Sequence, residues 1–496
     1  MILLDKQVLT RGAAFIYIQV VVSAISAYVF WLIMTQLTTS VVIGTLSTLV
    51  SIVEILTSFA GIGIPGSIQR FLGKRFSERR LEDAKIYVVT SLFFTSIGII
   101  VSCLFIVVGG HFFELIKIDS TLQFILIFVI ISKSIQLLLS SVVISTLKTR
   151  VLAVVNTISS TTKIAISTIM VLIGAGITGL AFSYLLFDSL LSSVLLGIVI
   201  MKYMKPVSKE KIGPRVSYIH ASKDILTGGV TNWIPTLVTN IGLQLGTIVL
   251  FGSKGANDAA VYFLAISIVN GILFSTTAIF AIALPALSSM QDARKRLAWQ
   301  TIRWSFLISI PLSSSLVFFS VDVMRLFGEN YVKGEFPLQI LLLSILPIIL
   351  ADGIANLTFS YGNYKQSLAI HLAMNIPRIV LYFALIPNYG IIGGAVSFVI
   401  GSILALIVTI IIISKIRINI FWKDLALIPV IPLAIGYLLH TLQFNYIYAI
   451  PITIAASYVI LFKLHTVTGS DIQDLLSILP NSLSNQILII WRKIKE

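Results

Sequence analysis

Apolar runs long enough to cross a hydrocarbon layer recur along this chain as far as residue 464, and Lys and Arg are almost confined to the segments between them. A bilayer core of roughly 30 Å takes about 20 helical residues to cross. Inside it every backbone N–H and C=O must be paired within the protein, which a helix achieves unaided. The spacing predicts fourteen spans, at about 13–34, 41–62, 86–109, 122–147, 151–173, 179–200, 224–250, 259–284, 300–320, 337–358, 365–386, 391–413, 425–440 and 445–464. The fold class that follows is an all-α polytopic membrane protein.

A net charge of +15 would suggest nucleic acid for a soluble chain, but its distribution has another cause. With both termini placed on the cytoplasmic side, the outer loops hold only Lys117, Lys254, Arg325 and Lys333. The spans hold Lys133, Lys163 and Arg378, and every other Lys and Arg falls in an inner segment. This is the positive-inside pattern. The excess at 70–85, 202–223 and 294–303 faces anionic membrane lipids, with no nucleic-acid partner and a location in the cell membrane. The single cysteine, Cys103, lies in the third span, which excludes an intrachain disulfide and a Cys-based metal cluster. Residues 13–27 end in SAISA like a signal-peptide core, yet the apolar run continues to Met34 with Trp31 near its outer end, so the reading is an uncleaved first span.

An internal repeat organises the chain. Residues 176–183 read GITGLAFS and residues 390–397 read GIIGGAVS, each opening an even-numbered span. Pro65 and Pro285, each ending a span before a basic segment, give a fainter echo. The expected division is an N-terminal six-helix lobe at 1–200, a basic cytoplasmic linker at 201–223 and a C-terminal six-helix lobe at 224–413. Two further spans at 414–464 and an amphipathic cytoplasmic tail at 465–496 follow. Six spans per lobe give both copies the same orientation, as in parallel repeats whose interface takes a transporter's substrate. In the tail, Ile472, Leu475, Leu476 and Leu479 and then Leu483, Ile487, Trp491 and Ile494 recur at helical spacing, a pattern for short helices lying on the membrane surface.

Six ionisable residues fall well within spans: Glu54, Lys133, Lys163, Asp188, Asp352 and Arg378. A charge at the bilayer centre costs at least about 2.5–3.5 kcal/mol on insertion scales, so such groups find partners or line wet cavities. Their charges sum to zero. One reading is three internal ion pairs that lock helices together. The other is a water-filled cavity with cations for an anionic substrate and carboxylates Glu54, Asp188 and Asp352 as candidates for a coupling ion. Lys163 and Arg378 each lie on the span before a repeat copy, and a diphosphate bridging two lobes needs such a pair. Arg holds phosphate oxygens bidentately and Lys acts as a compact charge. Lys133 supplies a third cation.

The seventh span carries Asn232, Thr236, Asn240 and Gln244 at steps of four, along one slowly turning face. Such a seam either binds helices together by hydrogen bonds or offers donors and acceptors to sugar hydroxyls. Gly228, Gly229 and Pro235 nearby permit a break or bend. His371 reads as a hydrogen-bonded interior histidine, and Asn356-Leu357-Thr358 is a sequon buried in the membrane. The chain has no Gly-rich phosphate loop with a Lys, no clustered metal ligands and no soluble domain large enough for an ATPase. No cofactor, metal site, catalytic residue or nucleotide-driven step is expected of this chain.

Four segments carry a resemblance: TRGAAFIYIQ at 10–19, GIGIPGSIQRF at 61–71, RLFGENY at 325–331 and NYGIIGGA at 388–395. In this order and spacing they resemble the polysaccharide transporter branch, the oligosaccharide or O-antigen type flippases, of the multidrug/oligosaccharidyl-lipid/polysaccharide flippase superfamily. The resemblance implies two six-helix lobes around a central cavity, alternating access, and a polyprenyl- or dolichyl-linked saccharide carried from the inner to the outer leaflet. It also implies a cationic cavity for the phosphate or pyrophosphate, which suits Lys163, Arg378 and Lys133 by cavity logic rather than by aligned positions. Glycan polymerase or glycosyltransferase machinery would be the working partners. The alternative within the superfamily is a multidrug extruder driven by protons or sodium through Glu54, Asp188 or Asp352. A membrane-embedded glycan enzyme fits poorly, because the longest outer segment, 321–336, is short.

Overall fold

The computed structural model describes residues 6–78, 80–110, 118–146, 149–203, 216–289, 294–418, 422–464 and 466. The amphipathic tail and most of the basic linker lie outside the described residues. The first helices are α1 (Lys6–Leu37), α2 (Ser40–Gly61), α3 (Ile64–Ser77), α4 (Leu81–Val108), α5 (Ser120–Ser145) and α6 (Thr149–Leu172). Then come α7 (Gly176–Ala181), a π-helical turn (Phe182–Phe187), α8 (Asp188–Tyr203), α9 (Tyr218–Lys254) and α10 (Ala256–Ser289). The remainder is α11 (Arg294–Phe318), α12 (Ser320–Arg325), a 3-10 turn (Glu329–Gly334), α13 (Glu335–Leu342), α14 (Ile345–Ser360), α15 (Tyr364–Ile416), α16 (Trp422–Thr441) and α17 (Tyr446–Lys463). Among the described residues there is no strand.

Four of the helices start at a capping side chain. Thr39, Asp119, Ser217 and Asn445 each accept a backbone N–H of the helix that follows, satisfying donors left unpaired by the first turn. Eleven helices among the described residues are long and apolar enough to cross a membrane, or twelve if the bent pair Glu329–Leu342 and Ile345–Ser360, at 42°, counts as one span. That tally counts α15 once. At 53 residues and roughly 1.5 Å per residue, α15 would far exceed a bilayer core, and Gly390 inside it has φ 55° and ψ −131°. Val22–Leu37 of α1 ranks as a shorter apolar helix. The protein is therefore a multi-pass helical membrane protein, and the tally does not establish the number fourteen.

Packing is inverted relative to a soluble protein. On α4, Phe93, Ile100 and Val108 are exposed while Ser91, Thr95 and Ser102 are buried. Lipid is as apolar as Leu, so large apolar side chains lose nothing by facing outward, and small or hydroxylated ones let backbones approach.

The chain forms two compact units. One comprises Ala265–Ile370 and Ser402–Glu496 with Met1–Ala24, as far as these are described. In it the last two helices are tied to α11: Arg303 pairs with Asp424 at 3.2 Å, and the Tyr458 hydroxyl donates to the Leu307 carbonyl at 2.8 Å. The other unit comprises Ile25–Leu264 and His371–Gly401. One cluster of its core gathers Ile64, Ile68, Leu72, Tyr87, Leu138, Val142 and Ile225 from α3, α4, α5 and α9.

Both copies of the sequence repeat lie in this second unit and share local geometry. Their leading glycines, Gly176 and Gly390, have φ +58° and +55°, a region that glycine enters at little cost. Their closing serines do the same thing, Ser183 donating to the Gly179 carbonyl at 2.8 Å and Ser397 to the Gly393 carbonyl at 2.7 Å. The repeat thus records one backbone device used twice: a left-handed glycine that re-aims the chain, then a helix turn tightened by a serine. Helix α9 runs unbroken through Pro235. Gly228 and Gly229 serve close crossing instead, because Cβ atoms there would lie 2.7 Å from the Ser67 hydroxyl and 2.8 Å from the Ile62 carbonyl oxygen.

Candidate functional site

Four of the six intramembrane ionisable residues meet inside the second unit as two ion pairs. Lys133 on α5 bonds to the Glu54 carboxylate on α2. Lys163 on α6 lies 3.5 Å from the Asp188 carboxylate at the start of α8. None of these side chains is sealed off, since relative exposures run from 14% for Lys163 to 35% for Glu54. Tyr184 joins the pairs. The Lys163 ammonium sits 4.6 Å from its ring centroid, within the range of a cation–π contact. Both Asp188 and Glu54 lie within electrostatic reach of its hydroxyl.

Serines set the rotation that brings these groups together. The hydroxyls of Ser132 and Ser189, neighbours of Lys133 and Asp188, are 2.5 Å apart, joining α5 to α8. One helical turn away, Ser192 donates to Ser159 at 2.8 Å and joins α8 to α6. Tyr184 falls in the π-helical turn Phe182–Phe187, a distortion frequent at functional sites. Its ring packs on Phe30 and Trp31 at centroid distances of 4.4 and 5.6 Å. The ring that the Lys163 ammonium contacts is thus backed by further aromatic side chains, and the same ammonium pairs with the Asp188 carboxylate.

Arg378, the third cation, lies elsewhere in the same unit and is 1% exposed. Its guanidinium stacks 3.7 Å from the Phe398 ring centroid. It donates from Nε to the Phe398 carbonyl at 3.1 Å and from a terminal nitrogen to Asn375 Oδ1 at 3.2 Å. Asn375 in turn donates to Thr239 on α9 at 3.3 Å. A Cβ on Gly401 would come 2.4 Å from the arginine's own Cγ, so the neighbouring helix turn closes over the side chain.

The α9 seam is engaged with α2. Asn240 donates to the Ser58 hydroxyl, Gln244 accepts from Ser51 at 3.0 Å, and Trp233 Nε1 donates to the Ser58 carbonyl at 3.0 Å. The Asn232 side chain lies outside the described residues. Asp352 sits on α14 of the other unit, where its backbone carbonyl accepts from the Asn356 amide at 2.9 Å. Sequence reasoning did not single out Tyr184, although it stands one helical turn before Asp188. Ser58, Asn375 and Phe398 carry no comparable signal, being ordinary residues of apolar helices.

Residues 9–291 match the model of a family described as polysaccharide biosynthesis protein. The chain belongs to that family. The resemblance read from its motifs is borne out. The family region takes in Glu54, Lys133, Lys163 and Asp188 as well as Asn240 and Gln244, and leaves Asp352 and Arg378 beyond its end. A curated relative, a putative O-antigen transporter of Shigella flexneri, is 25% identical over 179 residues, 34% of this chain. The match spans 42% of that relative's length.

Solved structures share the family member's fold. A MOP superfamily transporter from Pyrococcus furiosus, described as having a binding pocket of reverse polarity, superposes with a TM-score of 0.61 at 15% identity. That likeness covers 84% of this chain and 98% of the other. The MATE multidrug transporter DinF-BH gives 0.63 at 17% identity, covering 84% and 96%. The lipid II flippase MurJ in its inward closed conformation gives 0.55 at 15% identity, covering 88% and 99%. These neighbours are transporters and not enzymes, and at such identities the likeness is one of fold.

Proposed function

We propose that this protein is a flippase for a lipid-linked oligosaccharide, carried on a polyprenyl or dolichyl phosphate or pyrophosphate. It moves its substrate from the inner to the outer leaflet of the cell membrane by alternating access of two six-helix lobes, 1–200 and 224–413. In this reading α15 makes two passes and α1 one, giving fourteen spans with both termini cytoplasmic. The observation that carries the proposal is the placement of two lysines, Lys133 and Lys163, partly exposed within the helical interior of a polysaccharide biosynthesis family member. Desolvated ammonium groups offset the cost of bringing a phosphate headgroup out of water, and the lipid tail stays in the bilayer. Arg378 adds a third cation in states where its stack on Phe398 has opened. Asn232, Asn240 and Gln244 offer amide groups to the glycan. The product would feed polymerase or glycosyltransferase machinery.

A second reading is a cation-coupled multidrug extruder, favoured by the fold shared with DinF-BH and by carboxylates Glu54, Asp188 and Asp352. Translocation of a fluorescent lipid-linked saccharide in proteoliposomes, with a lipophilic cation tested in parallel, separates the two. Protein-dependent movement of the saccharide lipid that falls at least tenfold in Lys133→Met/Lys163→Met supports the flippase. Movement of the cation alone would replace it with the extruder.

A further inference from the structure

The two lysines that suit a phosphate headgroup are already occupied, each by a carboxylate from another segment of the same unit. An anion reaching them must displace Glu54 and Asp188. We propose that the site works by ion-pair exchange: the headgroup takes both ammonium groups, and each released carboxylate takes up one proton from water. This deepens the flippase reading and rests on it.

The argument is one of charge and solvation. Before exchange the quartet is neutral. A diphosphate diester brings two negative charges, so without proton uptake the loaded site would hold two uncompensated carboxylates in a partly desolvated interior. Burial disfavours the ionised form of a carboxyl group once its cation has gone. Two protons restore neutrality: each oxygen anion becomes an O–H, and the lysines remain ammonium groups throughout. Among the described residues, the groups that neighbouring helices bring by hydrogen bond to α2, α5 and α8 around the pairs are uncharged. The packed face of α9 brings Gln244 to Ser51 and Asn240 to Ser58, α4 brings the Ser102 hydroxyl to the Leu56 carbonyl, and α5 and α8 bring serines. Tyr184 is a titratable group within electrostatic reach of both carboxylates, and it also holds the Lys163 ammonium at its ring. A proton satisfies a lone carboxylate with one bond. A hard metal cation wants several oxygen ligands, and no group of three or more His, Cys, Asp or Glu side chains is clustered among the described residues.

The test uses the purified full chain in detergent and a short-chain prenyl diphosphate-linked sugar, whose diester phosphates do not titrate near neutral pH. Calorimetric titration in buffers of different ionisation enthalpy counts protons taken up on binding. The exchange requires about two protons per headgroup, unchanged by added sodium. It also requires that a prenyl glycoside lacking phosphate bind without uptake. Glu54→Gln and Asp188→Asn should each remove about one proton and tighten binding several-fold, because the competing anion is gone. Headgroup binding with no proton uptake, or uptake unchanged in both variants, overturns the exchange while leaving the flippase reading intact. Absence of headgroup binding in every form overturns both.

Discussion

A lysine on an apolar helix needs a partner, and the strength of that need can be measured here. Lys163→Ala leaves Asp188 in a partly buried site without its cation, whereas Lys163→Ala/Asp188→Asn removes both charges. Losing one partner of a fully buried pair costs roughly 3–5 kcal/mol. The residual exposure of 14% and 24% for these side chains reduces the expectation to about 1–3 kcal/mol. Thermal unfolding in detergent should place the single variant below the double variant, and Asp188→Asn alone completes the double-mutant cycle from which the coupling energy is read. Arg378 makes a different prediction. Its planar guanidinium stacks on Phe398 and forks between a carbonyl and Asn375, a set of contacts that an ammonium cannot reproduce. Arg378→Lys should therefore lower stability by about 1–2 kcal/mol although the charge is kept, and the fall in melting temperature checks it.

At the scale of the element, the bends between helices depend on two kinds of glycine. Gly63, in the elbow between α2 and α3, has φ +68°, and a Cβ there would lie 2.1 Å from the Gly229 carbonyl oxygen on α9. Gly174, before α7, has φ +76° with nothing within 4 Å of such an atom. Gly174→Ala should cost only the left-handed backbone penalty, about 1–2 kcal/mol. Gly63→Ala adds a backbone clash that only separation of the α3 elbow from α9 relieves, so its loss should be clearly larger and visible as reduced yield of folded protein. Comparing the melting temperatures of the two variants tests whether the crossing, rather than the turn, is the constraint. The π-helical turn is a third element-scale feature. It carries Tyr184 toward both ion pairs, and nothing in the period of FSYLLF distinguishes it from an ordinary helical turn.

For the whole molecule, the charge asymmetry predicts an orientation. In a Cys103→Ser background, Lys254→Cys and Lys333→Cys should react with a membrane-impermeant maleimide in intact cells, and Lys223→Cys only after permeabilisation. The reverse pattern would invert the topology. The apolar helices were legible without coordinates, because a bilayer leaves the backbone few solutions and makes each charge costly, but no apolar run marked α3 or the ends of the helices. The same cost made Glu54, Lys133, Lys163, Asp188, Asp352 and Arg378 conspicuous as a neutral set, and the seam at Asn232, Thr236, Asn240 and Gln244 was visible by its spacing. The repeated GIxGxAxS segments marked two equivalent backbone turns. What the sequence left open was pairing. Both Glu54–Lys133 and Lys163–Asp188 depend on how α2, α5, α6 and α8 are rotated about their axes, which serine contacts between helices settle. Arg378 illustrates the same limit: its position on a span was evident, but its enclosure by Phe398, Asn375 and Gly401 arises because the two parts of α15 on either side of Gly390 pack against each other. Local hydropathy was enough to imply a bilayer, the apolar segments and the charges they carry. Which of those charges meet, and how far each stays open to water, follows instead from packing between helices.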